Sequence, residues 1–422
     1  MKDIIQQIAT ELVLHITKKA FGKELSDLDA LAANVFEDCA EASRQILQAV
    51  ISVRNRQLRE DKAFRKKEGL IIKEKDRSRQ ILTKLGMIEW KRDYYYDKTR
   101  ERYVFPLDYM LGVRSYERIG DEVSAQLLNR AAEVSYARSS DIVTGGTVSR
   151  QSVRNHLIQA DIPQKEPTSE HKPVSELHLY ADEDHVHMQK TGKKKGKENR
   201  IVPLITVTEG TVPVDRRRNQ TLRPMHFVDE EQSSKRLWKT VEGYIEKAYD
   251  MERINKIYIH ADGGNWIKNG LETFAQTIYV MDGYHFFKEL KKVSKRFPTR
   301  NIRTVITNAL KNDDRKRAGS FLKEISVEDD GVSDFRDYLF GHWKEIRNRI
   351  VLDIPGSCTE GQVSHVLSER FSRNPMGWSK IGLGKMSVLR VYRCNGGKLT
   401  GADRKPKETQ ESYREYADRF MN

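Results

Sequence analysis

The sequence has few cysteines, no long apolar segment and fewer acidic than basic side chains. Its three cysteines, Cys39, Cys358 and Cys394, are too widely scattered for a disulfide framework or a C-x-x-C zinc site. No apolar run approaches the ~20 residues that cross a membrane. The N-terminal MKDIIQQIATELVLHI carries polar residues throughout, which is not typical of a signal peptide. We therefore expect a cytoplasmic protein without a membrane partner.

The charge balance favours a polyanionic partner. The 75 Lys and Arg against 61 Asp and Glu give a net charge of +14, and nucleic acid is the commonest polyanion that a soluble protein meets. Basic residues are dense from Asp61 to Arg102, where GMIEWKRDYYYD, a polar turn and YVFP predict an aromatic β-hairpin. This hairpin is either a structural element with a solvated basic face or a surface for the DNA backbone.

A helix-turn-helix is predicted next. An alanine-rich helix over about residues 121–138 is followed by a Gly-Gly break and by a short helix that Thr147 or Ser149 would cap. This recognition helix, Ser149 to Ile158, would expose four side chains that can reach base edges or phosphates: Arg150, Gln151, Arg154 and Asn155. An ordinary helical hairpin is the alternative interpretation, and the basic context favours DNA binding.

The order of later segments predicts a mixed α/β domain. LHLYADEDHVHM, RIVPLITVTEG and MHFVD predict an antiparallel meander, and helices then alternate with the strands KIYIHA and TIYVM. That order is typical of a ribonuclease-H-like (RNase H-like) sheet. We expect a helical region at 1–60, a DNA-binding region at 61–160, a proline-containing linker at 161–176, a catalytic domain at 177–395 and a polar tail at 396–422.

Two of these strands end on the same dipeptide, Ala-Asp, at Asp182 and Asp262. Carboxylates held side by side repel each other unless a cation lies between them. Hard oxygen ligands suit Mg²⁺ or Mn²⁺, and phosphoryl-transfer enzymes use a pair of such ions. A third carboxylate is predicted from the helix in GSCTEGQVSHVLSERFS, where Glu360 is the first choice and Glu369 the second, with Glu345 a distant third.

Histidines near these acids allow further interpretations. In MDGYHFFK, Asp282 and His285 form a D-x-x-H pattern, in which the histidine orients a phosphate or a ligand carboxylate, or packs behind an ordinary turn. His185 and His187 form H-x-H, a pattern of zinc hydrolases. The zinc hydrolase is the weaker alternative, because its fold needs eight βα repeats and would leave the basic N-terminal half unexplained.

Several long motifs resemble one known family. They are RSRQILTKLGMIEWKRDYYYD, TVSRQSVRNHL, LYADEDHVHMQ, IHADGGNWIK, MDGYHFFK and CTEGQVSHVLSERFSRNPMGWSKIGLGKMSVLRVYRCNGG. The chain resembles bacterial insertion-sequence transposases of the ISLre type, in the Mutator-like group of DDE transposases. The resemblance implies an RNase H-like core with an all-helical insertion at about 290–350. It also implies a triad of Asp182, Asp262 and Glu360, which would ligate two ions.

One departure from the family pattern concerns the first acid. Relatives tend to have Asp-Gly after the first strand, whereas this chain has Asp182-Glu183-Asp184. Asp184 is therefore a rival for the first ligand. The D-x-x-H of Asp282 and His285 matches the signature of the group.

The resemblance implies metal-dependent DNA cleavage and strand transfer at the ends of an insertion sequence. The partner would be double-stranded DNA, both terminal inverted repeats and target, bound by a homo-oligomer associated with the nucleoid. Lys193, Lys194 and Lys195, on the turn after the first strand, would contact phosphate or simply be solvated. The alternative function is a catalytically inactive DNA-binding protein derived from a transposase.

Overall fold

The computed structural model describes residues 2–21, 27–189, 199–215, 219–274, 276–326, 331–352, 354, 359–373 and 376–404. The chain divides into two compact units. The first contains Met1–Leu128, Ser140–Thr147 and Leu399–Asn422, and the second contains Asn129–Ser139 and Val148–Lys398. No helix within the described residues combines the length and the apolar composition that crossing a bilayer requires.

Helices occupy most of the described residues up to position 67. They are α1 (Lys2–Ala20), α2 (Leu28–Glu60) and α3 (Lys62–Lys67). The Asp27 side chain caps α2 by accepting a hydrogen bond from the Ala30 backbone N at 2.8 Å. α1 packs against α2, and an ion pair of 2.8 Å joins Lys19 to Asp38.

A three-stranded antiparallel sheet follows. Its strands are β1 (Leu70–Thr83), β2 (Gly86–Asp97) and β3 (Arg102–Val104), in the order β1-β2-β3. β2 and β3 form the predicted hairpin, in which Tyr96 is opposite Tyr103. The sequence does not predict β1, because the middle of that strand is exposed and charged and lacks an alternating apolar pattern.

Four short helices come next: α4 (Pro106–Met110), α5 (Asp121–Ala131), α6 (Tyr136–Thr144) and α7 (Arg150–Ile158). The prediction of one helix over about 121–138 is wrong. The helix ends at Ala131, and Ser135 begins α6 by accepting a hydrogen bond from the Arg138 backbone N at 3.2 Å. The predicted recognition helix is present as α7, and Ser149 caps it through a 3.1 Å bond from the Ser152 backbone N.

The second unit is built on a five-stranded sheet. The strands of this unit are β4 (Glu176–His187), β5 (Asn199–Thr208), β6 (Thr211–Pro213), β7 (Asn219–Thr221), β8 (Met225–Phe227), β9 (Lys256–Ala261) and β10 (Thr277–Met281). The order in the large sheet is β10-β9-β4-β5-β8, and β6 pairs with β7 apart from it. β4, β5 and β8 are antiparallel to their neighbours in this meander, whereas β9 and β10 run parallel to β4.

Ten helices of this unit follow β8 in the described residues. They are α8 (Ser234–Ala248), α9 (Lys268–Thr273), α10 (Gly283–Arg296), α11 (Ile302–Lys311), α12 (Arg315–Ser326), α13 (Gly331–Gly341), α14 (Trp343–Val351), α15 (Thr359–Val363), α16 (Glu369–Phe371) and α17 (Lys380–Cys394). A π-helical turn, Ser364–Ser368, joins α15 to α16. The segment α10–α14 has its own apolar core, so an all-helical block of the predicted kind separates β10 from α15.

The two faces of the large sheet differ in polarity. Leu177 and Leu179 of β4 belong to an apolar core that also contains Val241 and Ile245 of the amphipathic α8. Alternate residues of the same strands carry polar groups on the other face, as in Tyr180 and Asp182 of β4 and Tyr258 and His260 of β9. Most of these polar groups are buried.

Residues 161–176, predicted as a linker, run within the second unit. The backbone N of His171 donates to Lys247 O at 3.2 Å, and that of Lys172 donates to Ala248 O at 2.9 Å. These bonds attach the segment to the end of α8, so it does not separate two units of the structure.

Candidate active site

Three acidic residues follow in-register positions of three adjacent parallel strands. Ala181 of β4 is opposite Ala261 of β9, which is opposite Met281 of β10. The next residue of each strand is an aspartate: Asp182, Asp262 and Asp282. The backbone N of Asp282 donates to Ala261 O at 2.8 Å, which keeps the chain in register where β10 ends. The three aspartates therefore lie at the same level of the sheet, where β9 and β10 end beside the central strand β4.

Each aspartate is held by a backbone N–H group. Asp182 is 9% exposed, and its Oδ1 accepts from the Glu183 N at 2.8 Å. Asp262 Oδ1 accepts from the Gly264 N at 3.1 Å. Asp282 is 2% exposed and caps α10, since its Oδ1 accepts from the Tyr284 N at 2.9 Å. Asp282 therefore fixes the start of a helix beside the other two acids.

The candidate third carboxylate lies on a helix that packs against β4. Glu360 is the second residue of α15, and α15 contacts β4 directly. Apolar residues that follow α15 are buried, with Val366 of the π-helical turn 2% and Phe371 of α16 1% exposed. The Glu360 side chain lies outside the described residues. Within the described part of the chain, no three His, Cys, Asp or Glu side chains come together as a metal-binding group.

The two other candidates for the third carboxylate differ in their surroundings. Glu369 is engaged by cations: its Oε2 lies 3.1 Å from Arg390 Nη2 and its Oε1 lies 3.3 Å from Arg373 Nη1. These arginines compensate the Glu369 charge, which weakens its case as a metal ligand. Glu345 lies in the first turn of α14, which packs against β10, the strand that ends just before Asp282.

Asp184, the rival for the first ligand, has a protein partner. It is 7% exposed, and Ser372 Oγ donates a short hydrogen bond to its Oδ2. Asp184 also lies two residues beyond Asp182, which moves it about 6–7 Å along β4 from the level where β9 ends. The strand register therefore favours Asp182 as the neighbour of Asp262.

Strand β10 and the helical block contribute side chains around Asp262 that the sequence does not predict. Burial, with the Asp262 charge as a further cause, raises the pKa of Tyr279 and of Tyr338, so both phenols stay protonated at neutral pH. The His342 ring stands so close to Gly263 that a Cβ on that glycine would be 3.0 Å from its Cε1. Burial lowers the pKa of Arg349, and the Asp282 charge partly opposes that effect. No local pattern marks Tyr338, His342 or Arg349, because they reach the site only through packing of α13 and α14.

A pair of buried histidines stands behind the aspartates. His178 Nδ1 and His260 Nε2 are 3.0 Å apart, and burial lowers the pKa of both imidazoles, so they are neutral at pH 7. His226 of β8 bonds Thr206 Oγ1 at 2.8 Å, and burial lowers its pKa to about 4. These groups fill the polar face of the sheet without adding charge to it.

The histidines of the two sequence motifs have modest contacts. His285 lies in the first turn of α10, partly buried, with its ring edge-on to Tyr284 at 5.4 Å. His185 is 62% exposed in its side chain and lies 3.7 Å from Glu183, and His187 Nδ1 lies 3.4 Å from Asn199 Oδ1. Since residues alternate along a strand, the H-x-H pair lies on the face of β4 opposite to Asp182.

The predicted DNA contacts on α7 are only partly available. Arg150, Gln151 and Asn155 are exposed, and Gln151 donates to Asn155 Oδ1 at 2.9 Å. Arg154 is partly buried and its Nη2 lies 3.3 Å from Ser379 Oγ, at the cap of α17. Arg154 therefore ties α7 to α17. The three lysines Lys193, Lys194 and Lys195 lie outside the described residues.

Comparisons with known proteins place the sequence among uncharacterised relatives. Residues 22–408 match the model of UPF0236, described as an uncharacterised protein family. A UPF0236 protein of Caldanaerobacter subterraneus subsp. tengcongensis is 31% identical over 415 residues, covering 94% of this chain and 86% of its own length, and its name joins eleven loci. Another from that organism is 33% identical over 412 residues, covering 94% and 85%, and its name joins four loci.

Proposed function

The chain belongs to the UPF0236 family, and we propose that it is a DNA transposase. In this proposal it cleaves DNA at the ends of an insertion sequence and joins those ends to target DNA. The observation that carries the proposal is the set of aspartates, Asp182, Asp262 and Asp282, that follow in-register positions of three adjacent strands. Acids concentrated where neighbouring parallel strands end suit metal-dependent chemistry on phosphate esters.

The sheet topology supports an RNase H-like catalytic domain. An antiparallel meander of three strands, followed by two parallel strands beside the first of the three, is the arrangement that this fold class requires. The first acid of the triad then lies on the central strand β4, the second after the adjacent β9, and the third on α15, which packs against β4. The helical block α10–α14 occupies the position of the expected insertion.

The donor chemistry fits Mg²⁺ or Mn²⁺. Asp182 and Asp262, together with Glu360, offer only carboxylate oxygens, which these hard ions prefer. When bound, two such ions activate the attacking water or 3′-hydroxyl and neutralise charge on the phosphate. The chain itself would orient DNA: the N-terminus of α10, capped by Asp282, presents backbone N–H groups, and Arg349 adds a positive charge beside it.

The family context is compatible with a mobile element. One relative carries a name that joins eleven loci of a single genome, as expected of a gene that has been copied from place to place. The net charge of +14 suits a partner with many phosphates. In our proposal the exposed Arg150, Gln151 and Asn155 of α7 contact duplex DNA, and the protein acts as a homo-oligomer near the nucleoid.

Cleavage of DNA that contains the element's own ends tests the proposal. Purified full-length protein is incubated with labelled duplexes in Mg²⁺ or in EDTA, and the products are separated on a denaturing gel. We expect Mg²⁺-dependent nicks at the ends, and a loss of more than about 100-fold in Asp262→Asn. Asp161→Asn changes an exposed aspartate of the same unit and serves as the matched control.

Each other outcome points to a different conclusion. Equal cleavage by wild type and Asp262→Asn would remove the triad from the mechanism. Binding of end-containing DNA without any cleavage by wild type would favour the alternative, an inactive DNA-binding protein derived from a transposase. Cleavage that requires Zn²⁺ instead of Mg²⁺ would contradict the carboxylate site.

A further inference from the structure

One face of the small sheet in the first unit carries a row of aromatic rings. We call this row the aromatic strip, and its members are Tyr94, Tyr96, Tyr103 and Phe105. Tyr94 stacks on Tyr103 with centroids 5.1 Å apart and planes 13° from parallel. Tyr96 contacts Tyr103 at 5.1 Å, and Phe105 contacts Tyr94 at 4.7 Å. The rings therefore form one continuous surface across β2, β3 and the residue after β3.

Exposed cations flank this strip. The Arg77 guanidinium carbon lies 4.9 Å from the centroid of Tyr94 and 5.6 Å from that of Phe105. At the other end, Lys73 Nζ lies 5.7 Å from the centroid of Tyr96. Glu74 forms an ion pair with Arg77, with its Oε2 3.4 Å from Arg77 Nε. Both side chains of this pair are about half exposed. Such an exposed ion pair is weak and can be displaced by a phosphate.

The apolar core of this part of the sheet lies on the opposite face. Tyr95, between two strip residues, is 1% exposed and clusters with Leu70 and Val104. In contrast, Tyr103 is 56% exposed on a three-residue strand at the edge of the sheet. An exposed ring there contributes little to stability, so folding alone does not explain a stacked row of aromatics bordered by lysine and arginine.

We propose that the aromatic strip binds unpaired nucleotides of a DNA strand. Bases stack on aromatic rings, and the phosphates between them are attracted to nearby cations, here Lys73 and Arg77. A duplex hides the faces of its bases, so the strip selects strands that are melted or frayed. The inference rests on the proposed function for its ligand, since cutting and joining of element ends exposes such strands.

Fluorescence anisotropy tests this inference. The full-length protein is titrated in EDTA into a labelled 12-nucleotide single strand, the same strand with abasic positions, and the matching duplex. We expect Tyr103→Ala to bind the single strand about tenfold more weakly than wild type, with little change for the abasic strand or the duplex. Tyr103→Phe keeps the ring and should bind like wild type, which also controls for folding.

A second tyrosine provides the matched control. Tyr116 is 94% exposed in the same unit but lies outside the strip. Tyr116→Ala should therefore bind all three ligands like wild type. Lys73→Gln should weaken the single strand and the abasic strand alike and lower the slope of log affinity against log salt by about 0.7, because it removes a contact to phosphate.

The outcomes separate this inference from the proposed function. If Tyr103→Ala binds the single strand as tightly as wild type does, the strip is not a nucleotide site, whether or not the protein cleaves DNA. If wild type prefers the single strand through Tyr103 but shows no cleavage in Mg²⁺, the transposase proposal is wrong, whereas the strip is still a nucleotide-binding site. If an acidic peptide binds wild type through Tyr103 while the single strand does not, the strip is a protein-binding surface and not a nucleotide site.

Discussion

His226 is a buried base whose protonation state limits stability in acid. Its folded pKa of about 4 is below the ordinary value near 6.5, so the unfolded chain binds a proton first as the pH falls. Stability from this residue is therefore complete above pH 6.5 and is lost as the pH falls towards 4. Between pH 7.5 and pH 5 we expect a loss of about 2 kcal/mol in the free energy of unfolding from His226 alone.

Urea titrations at the two pH values measure that loss. In His226→Gln, the difference in unfolding free energy between pH 7.5 and pH 5 should be smaller than in wild type by about 2 kcal/mol. Part of the difference should remain, because burial also lowers the pKa of His178 and of His260. The same substitution at exposed His185 is the control and should keep the full pH dependence, since it retains His226. An undiminished difference in His226→Gln would contradict the burial argument.

Gly263 combines two reasons for being glycine. Its φ is +108°, a conformation that side chains rarely adopt, and a Cβ would lie 3.0 Å from the His342 ring. We expect Gly263→Ala to lose more than about 1 kcal/mol of unfolding free energy. Gly243→Ala is the control, because that glycine lies inside α8 with open space around it. This control should be stabilised by up to about 1 kcal/mol, and equal behaviour of the two variants in a thermal melt would contradict the steric argument.

Individual site residues differ in how far the sequence predicts them. Asp182 and Asp262 can be found because identical Ala-Asp endings on two predicted strands make a local pattern. Tyr338 and His342 cannot be found in this way, because no sequence pattern near them indicates that they lie beside Asp262. The hydrogen-bond partner of Asp184 cannot be predicted either, since Ser372 is 188 positions away in the chain. Contacts across that separation follow from tertiary packing.

At the scale of elements, α7 depends on its cap. Ser149 Oγ accepts from the Ser152 backbone N at 3.1 Å, which satisfies one of the N–H groups that the first turn leaves open. Ser149→Ala should therefore cost about 1 kcal/mol of unfolding free energy, and Ser149→Asp, which keeps an acceptor, should cost much less. Thr147→Ala is the control, because the structure gives the cap to Ser149. If Thr147→Ala is the more damaging change in urea titrations, the capping assignment is wrong.

Elements with strong periodicity are predictable, and those without it are not. The five strands of the large sheet have apolar residues bounded by turn residues, and each appears where the sequence predicts it. β1 is missed because its charged middle is held by pairing to β2 instead of by burial. The sequence does not predict the break between α5 and α6, because Val134 and Ser135 interrupt the helix and neither is a glycine or proline that would indicate a turn.

At the scale of the molecule, the two units should respond differently to a divalent cation. In our proposal a divalent ion lies between Asp182 and Asp262 of the second unit, where it would relieve the repulsion of two like charges. An ion that binds only the folded form, at about 100 times its Kd, adds about 2.7 kcal/mol. For a unit of this size that corresponds to a rise in Tm of about 5–10 °C.

Scanning calorimetry with and without Mn²⁺ tests this expectation independently of DNA cleavage. The wild-type protein should show a higher melting temperature in Mn²⁺ for the transition of the second unit and an unchanged one for the first. Asp262→Asn should lose the rise, while Asp161→Asn should keep it. A rise that persists in Asp262→Asn would mean that the ion binds elsewhere. Because the two units lie in one chain, the first unit serves as an internal standard, and a general effect of salt would shift both transitions together.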